Sequence, residues 1–133
     1  ASRCYSCENE SYYKRRKCYV AKIRAKEDIG SFIQSNFGGW RRKSPKDFNL
    51  TKGYLVALWN EQQGRCFYTG EAILLKRGKH KWKSVSLDRK IPSLGYICGN
   101  VVWTTYLTNN SKNFRSTDEF IRFCQMVVEK ASR

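Results

Sequence analysis

The stretch S-V-S-L-D-R-K-I-P-S-L-G-Y-I-C-G-N-V-V-W-T-T-Y-L-T-N-N-S-K, residues 84–112, decides the fold. Ser84 to Arg89 alternates apolar and polar side chains with the period of a half-buried strand. Pro92, Gly95 and Gly99 mark a loop. Val101-Val102-Trp103-Thr104-Thr105 is a β-branched and aromatic run, the composition of a second strand. The polar segment that follows, with Asn109, Asn110 and Lys112, reads as a helix. Strand, loop, strand, helix is thus expected, with a carboxylate at the end of the first strand and amides on the helix.

Working outward, Thr51 is placed to cap a helix whose apolar face holds Tyr54, Leu55, Leu58 and Trp59, and Gly64 is its stop. Residues 65–68 and 72–75 read as two short strands separated by the turn Thr69-Gly70. Residues 76–83 form a basic loop. Towards the N-terminus, Val20, Ile23, Ile29, Phe32 and Ile33 recur at helical spacing over residues 19–36, and Gly38-Gly39 is expected to end that helix. Trp40 to Lys46 then reads as a basic loop. At the other end, Ser116 and Glu119 form a capping box. The helix behind it carries Phe120, Ile121, Phe123, Cys124, Val127 and Val128, a face expected to pack on the core. The fold class is therefore α+β, with an N-terminal Cys-containing module and helix over 1–40 and the main domain over 41–133.

Charge narrows the partner. Lys and Arg number 26 against 11 acids, a net charge of +15 in 133 residues. Nucleic acid is the expected partner, since each phosphate neutralised releases counterions. The cations cluster at Arg41, Arg42 and Lys43, and at Lys76, Arg77, Lys79, Lys81 and Lys83, which are the candidate DNA-backbone contacts. The longest apolar run, Tyr54 to Trp59, is far too short to span a bilayer. With no secretory pattern at the start, an intracellular setting is expected, the cytoplasm of a bacterium or of a phage-infected cell.

Six Cys occur. Only Cys4-x-x-Cys7 has the spacing of a zinc knuckle. Cys18 begins a second half in which Ala21 stands where another thiolate should be. A structural Zn²⁺ on Cys4, Cys7 and Cys18 would need a fourth ligand from elsewhere: Cys66, Cys98, Cys124 or His80. The alternative is a relic knuckle whose Cys act as small apolar residues.

Phosphodiester cleavage needs a cation at the phosphate, a base for the attacking water and positive charge around the transition state. Asp88 offers a hard oxygen ligand and Asn109 an amide oxygen, both suited to Mg²⁺. These residues carry a resemblance. Leu87-Asp88-Arg89, Gly95-Tyr96, Gly99-Asn100-Val101-Val102-Trp103, Asn109 and Lys112 resemble the HNH, or ββα-metal, endonucleases. The phage-type branch is the most similar, because Gly64-Arg65-Cys66-Phe67-Tyr68-Thr69-Gly70 precedes the Asp-Arg pair as its first motif does. The resemblance covers about residues 48–125.

The usual family pattern has Asp-His, with His as general base, whereas this chain has Asp88-Arg89 and a single His80 upstream. A subgroup, the PacI-type restriction enzymes, also reads Asp-Arg followed by Gly-Tyr. The resemblance then implies that Asp88 and Asn109 hold Mg²⁺ or another divalent cation, Tyr96 initiates, Arg89 and Lys112 stabilise the phosphate, and Asn100 holds the loop closed. It implies a homing- or restriction-type endonuclease acting on double-stranded DNA, with a homodimer one way to cut both strands. The rival reading is a non-catalytic basic DNA- or RNA-binding module on the same fold. An unperturbed phenol has a pKa near 10, so Tyr96 as phenolate needs cations beside it.

Overall fold

The β-branched run and its partner form an antiparallel pair, β1 (Val85–Arg89) and β2 (Val101–Thr105), with Leu87 opposite Trp103 and Asp88 opposite Val102. The pleat separates two faces. Val85, Leu87, Val101 and Trp103 enter the apolar core, while Ser86, Asp88, Val102 and Thr104 occupy the other side. The computed structural model describes residues 28–44, 47–76 and 81–133.

Eleven residues of loop connect the strands, and Asn100 holds them in shape. Its Oδ1 accepts from the Ile91 N–H at 3.0 Å, and its Nδ2 donates to the carbonyls of Ile91 (3.0 Å) and Gly95 (2.8 Å). Gly95 has φ +77°, a conformation closed to most side chains, and a Cβ there would collide with the Ser44 hydroxyl.

β2 runs directly into a short helix. Thr105 caps it by accepting from the Thr108 N–H. Before the hairpin come α1 (Ile29–Lys43) and α2 (Lys52–Glu61). After it come α3 (Tyr106–Lys112) and α4 (Thr117–Ala131). α1 and α2 pack together over the core face of the hairpin, and α3 packs against both strands. Trp103 is the centre: it is fully buried, meets Phe32, Trp40 and Trp59 edge-on, and donates from Nε1 to the Leu55 carbonyl at 3.0 Å. The architecture is α+β, and among the described residues no helix is long and apolar enough to cross a membrane.

Three expectations meet a different structure. α1 does not end at Gly38-Gly39 but runs on to Lys43. Each helical Gly costs about 1 kcal/mol relative to Ala, and burial of Trp40, the next residue, against Phe32, Tyr96 and Trp103 offsets it. Arg41, Arg42 and Lys43 are therefore the last helical turn, at the carbonyl end where cations are favoured, and not a loop. α1 crosses position 40, and Ile33 and Trp40 share the core with the hairpin. Residues 65–68 and 72–75 are not strands: they make the isolated bridges Arg65–Ala72 and Leu74–Ser84. A tight turn closes at once after Cys66, with Gly70 donating to the Cys66 carbonyl at 2.9 Å, which leaves no length for pairing.

The capping box at Ser116 and Glu119 is present, and α4 follows it. Its apolar face does not pack on the core as expected. Phe120 is buried, but Ile121, Phe123, Val127 and Val128 are exposed. Among the described residues, the helix is held by its first turn, through Phe120 against the Tyr68 ring and the Thr117 N–H on the Lys90 carbonyl.

Candidate active site

The alternation that sends Leu87 into the core sends Asp88 to the face occupied by α3. Asp88 is only 3% exposed, and Lys112, from the last turn of α3, is wholly buried beside it. The Lys112 Nζ lies 3.2 Å from Asp88 Oδ1 and donates to the Arg89 carbonyl at 2.8 Å. The other carboxylate oxygen accepts from the Tyr68 hydroxyl at 2.6 Å, and the Thr117 hydroxyl lies 2.8 Å from the Tyr68 oxygen. The Thr117 N–H in turn donates to the Lys90 carbonyl at 2.8 Å, tying the start of α4 to the end of β1. Four segments thus converge on one carboxylate.

Burial pushes the Asp88 carboxyl above its ordinary value, and Tyr68, Lys112 and Arg89 pull it part of the way back. The Tyr68 phenol is pushed up strongly, by burial first and by Asp88 second. It is a fixed proton donor to Asp88. Tyr68 belongs to the turn after Cys66, and its role was hidden in sequence because it reads there as one more aromatic in a strand.

One turn before Lys112 on α3, Asn109 faces the middle of β1. Its Nδ2 donates to Ser86 Oγ at 2.6 Å and approaches the Leu87 carbonyl at 3.4 Å. This anchors the amide nitrogen and leaves the amide oxygen with no hydrogen bond among the described residues. Asp88 and Asn109 are therefore carried on neighbouring positions of β1 and α3, each oriented by its own partners.

Arg89 points the opposite way from Asp88. Its guanidinium lies over the Tyr96 ring at 4.9 Å, and its Nη1 reaches the Pro92 carbonyl at 3.4 Å. Tyr96 is buried, packed beside Trp40, with its N–H donating to Ser44 Oγ at 3.0 Å. Burial raises its pKa, the Arg89 charge lowers it and the Asp88 charge raises it, with a net upward shift. The cation beside the phenol is real, but it does not outweigh burial.

Would a divalent cation fit? The donors are hard oxygens, and a carboxylate has about four lone-pair positions. Lys112 and Tyr68 take one bond each on its two oxygens and fix its orientation, the arrangement that supports a metal-binding carboxylate. The amide oxygen of Asn109 is available on the same helix. Both are hard oxygens, the donor type Mg²⁺ prefers, and Mg²⁺ takes few protein ligands and keeps water or phosphate for the rest. Among the described residues no group of three or more His, Cys, Asp or Glu gathers at one point.

The basic residues fall in two places. Arg41, Arg42 and Lys43 are exposed at the end of α1, with the Arg41 guanidinium 5.5 Å from the rings of both Phe37 and Phe48. Lys81 and Lys83 are exposed on the 3-10 turn Lys81–Lys83, and Lys76 is exposed just before it. Between them Trp82 is half-exposed and stacks on Tyr106 at 5.5 Å, with Lys81 over its ring. An exposed aromatic inside a cationic run suits nucleic acid, and the pattern Lys81-Trp82-Lys83 carried that signal. Arg77, Lys79 and His80 lie outside the described residues, as do Cys4, Cys7 and Cys18. Of the other thiols, Cys66 is buried near Thr104, whereas Cys98 and Cys124 are exposed.

Set against known protein families, curated proteins and solved structures, the chain finds no match.

Proposed function

We propose that the chain is a metal-dependent DNA endonuclease of the HNH type, homing- or restriction-like, whose ββα core is β1, β2 and α3. The single observation that carries the reading is the seating of α3 along β1. It puts Asn109 beside Ser86 and Leu87, and Lys112 beside Asp88, on the face opposite the apolar core. A fold that needed only stability would be better served by apolar residues there than by a buried Asp, Lys and Tyr cluster.

In this reading Asp88 and the Asn109 amide oxygen hold Mg²⁺, which supplies charge neutralisation at the phosphate and the leaving oxygen. Lys112 and Tyr68 keep Asp88 oriented and are positioning residues. Lys112 is too deeply buried, and too fully engaged by Asp88 and the Arg89 carbonyl, to grip a phosphate in this arrangement. Arg89 stacks on Tyr96 and holds the ring, and a role for Tyr96 as initiator requires its proton to leave against the upward shift that burial imposes. The two basic clusters and Trp82 supply backbone contacts to double-stranded DNA.

A second reading has its own observation: Lys112 and Tyr68 already satisfy both oxygens of Asp88, so the fold stands without an ion. That suits a basic nucleic-acid-binding module that does not cut. Supercoiled plasmid conversion separates the two. Native protein, Asn109→Ala and Tyr96→Phe are compared with Mg²⁺ and with chelator. Mg²⁺-dependent nicking lost in Asn109→Ala is the expected result. Tight plasmid binding with no cutting under Mg²⁺ or Mn²⁺ would install the binding module instead.

A further inference from the structure

We propose that Trp82 is a base-stacking platform, and that the DNA this chain takes carries an unpaired base beside the site. Trp82 is 45% exposed although it already stacks on the Tyr106 ring, with 5.5 Å between centroids and 23° between planes. The turn that carries it is tied down on both sides. The Ser84 hydroxyl donates to the Lys81 carbonyl at 2.6 Å, the Lys83 carbonyl accepts from the Leu74 N–H at 2.9 Å, and the Ser84 carbonyl accepts from the Tyr106 N–H at 2.8 Å. A ring fixed before binding loses little freedom when a base lands on it. Lys81 and Lys83 flank it, both exposed, and the Lys81 Nζ lies 5.3 Å from the Trp82 ring centroid. At an exposed site that contact is worth less than the stacking of a base. A base therefore displaces the flexible Lys81 stem, whose ammonium then turns to a phosphate.

Chemistry selects the occupant. Exposed ammonium groups beside an aromatic ring match a nucleotide, which joins a phosphate to a flat base. In a fully paired duplex the faces of each base are covered by its neighbours, and only an unpaired or flipped base presents a face to a ring. The platform also stands next to the proposed site. Tyr106 opens α3 and Asn109 lies one turn further on, so their side chains are neighbours on the helix surface. The same helix meets Ser84 through the Tyr106 N–H and Asp88 through Lys112. Those two points of β1 are ~13 Å apart, a span of a few nucleotides. The placement of the unpaired base near the scissile phosphate rests on the nuclease reading, whereas the stacking does not.

Binding of the full chain to labelled oligonucleotides in the presence of chelator, where nothing is cut, tests this. A duplex with a single unpaired base at its centre is compared with the fully paired duplex between ~50 and ~200 mM salt. The first should bind about tenfold more tightly. The ratio should hold at every salt, because the two duplexes carry nearly the same phosphates. Trp82→Ala should remove that preference and leave affinity for the paired duplex within a few fold, which also shows that the variant is folded. Trp82→Phe should keep most of the preference. A 2-aminopurine at the unpaired position, whose emission falls on stacking, should be quenched by the native protein and not by Trp82→Ala. Equal affinity for the two duplexes overturns the proposal, and so does a Trp82→Ala variant that weakens both alike. A native protein that quenches the probe yet cuts nothing with Mg²⁺ supports the platform and removes only the nuclease reading.

Discussion

Lys112→Met is the substitution that tests the central cluster most sharply. It removes an ammonium that is wholly buried and keeps the length of the side chain, leaving Asp88 in the interior with Tyr68 as its remaining donor. Breaking a buried pair from one side costs roughly 3–5 kcal/mol, a large part of the ~5–15 kcal/mol that holds a domain together. Its pH dependence has a defined sign. The Asp88 carboxyl already lies above its ordinary value because of burial, and without Lys112 it must rise further. A carboxyl whose folded-state pKa exceeds its unfolded value contributes its full stability below the unfolded pKa and loses it as pH rises through the folded pKa. The deficit of Lys112→Met should therefore be greatest at neutral pH and shrink on acidification, once Asp88 takes a proton.

Urea unfolding followed by tryptophan fluorescence reads this directly, since Trp103 is fully buried. Asp88→Asn combined with Lys112→Met removes both charges and should recover most of the loss. A deficit under about 1 kcal/mol at pH 7 would refute the reasoning, because breaking a buried ion pair costs more than that. So would a deficit that ignores pH, or a double variant as unstable as the single one. The same logic warns against Asp88→Ala as an activity control. It strands a buried ammonium and should unfold the domain, so lost cleavage would say nothing about chemistry.

Three further outcomes are expected. Tyr68→Phe removes the 2.6 Å hydrogen bond to Asp88; it should cost about 1.5–3 kcal/mol and raise the Asp88 pKa, so that Mg²⁺-dependent cleavage fails at a higher pH than in the native protein, read from rate–pH profiles. Asn100→Ala frees three backbone groups of the loop after β1 and should cost about 3 kcal/mol in urea unfolding, with Asn100→Asp recovering little because the two amide donations are lost. Reversing Lys81 and Lys83 to Glu should weaken plasmid binding and flatten its dependence on salt concentration, by a slope of roughly two if each contacts one phosphate, with the melting temperature unchanged because both side chains are exposed.

The elements legible in sequence are those whose signal is local. The β-branched run at 101–105, the Thr51 and Ser116 caps and the Gly64 stop each depend on a few neighbouring residues, and each is where its pattern puts it. Asn100 is legible for the same reason: a short polar side chain between Gly99 and a strand has backbone groups within reach. The Gly38-Gly39 pair misleads because its local cost is outweighed by a distant gain, the packing of Trp40 on Trp103. Residues 65–68 mislead because composition favours a strand while the Gly70 turn denies it a partner.

Lys112 is the instructive case. One turn beyond Asn109, in a chain with a large excess of cations, it reads as one more phosphate contact at the surface. Periodicity cannot separate an exposed lysine from one that turns inward, because the deciding partner, Asp88, lies 24 positions upstream on a different element. Burying that ammonium is tolerable only with a carboxylate and a carbonyl in place, and those two acceptors come from adjacent residues of β1. The charge that looks most like a ligand-binding group is thus spent holding the candidate metal ligand still. In the proposed reading, the cations left to meet a phosphate backbone are the exposed ones at the end of α1 and around Trp82, which lie outside β1, β2 and α3.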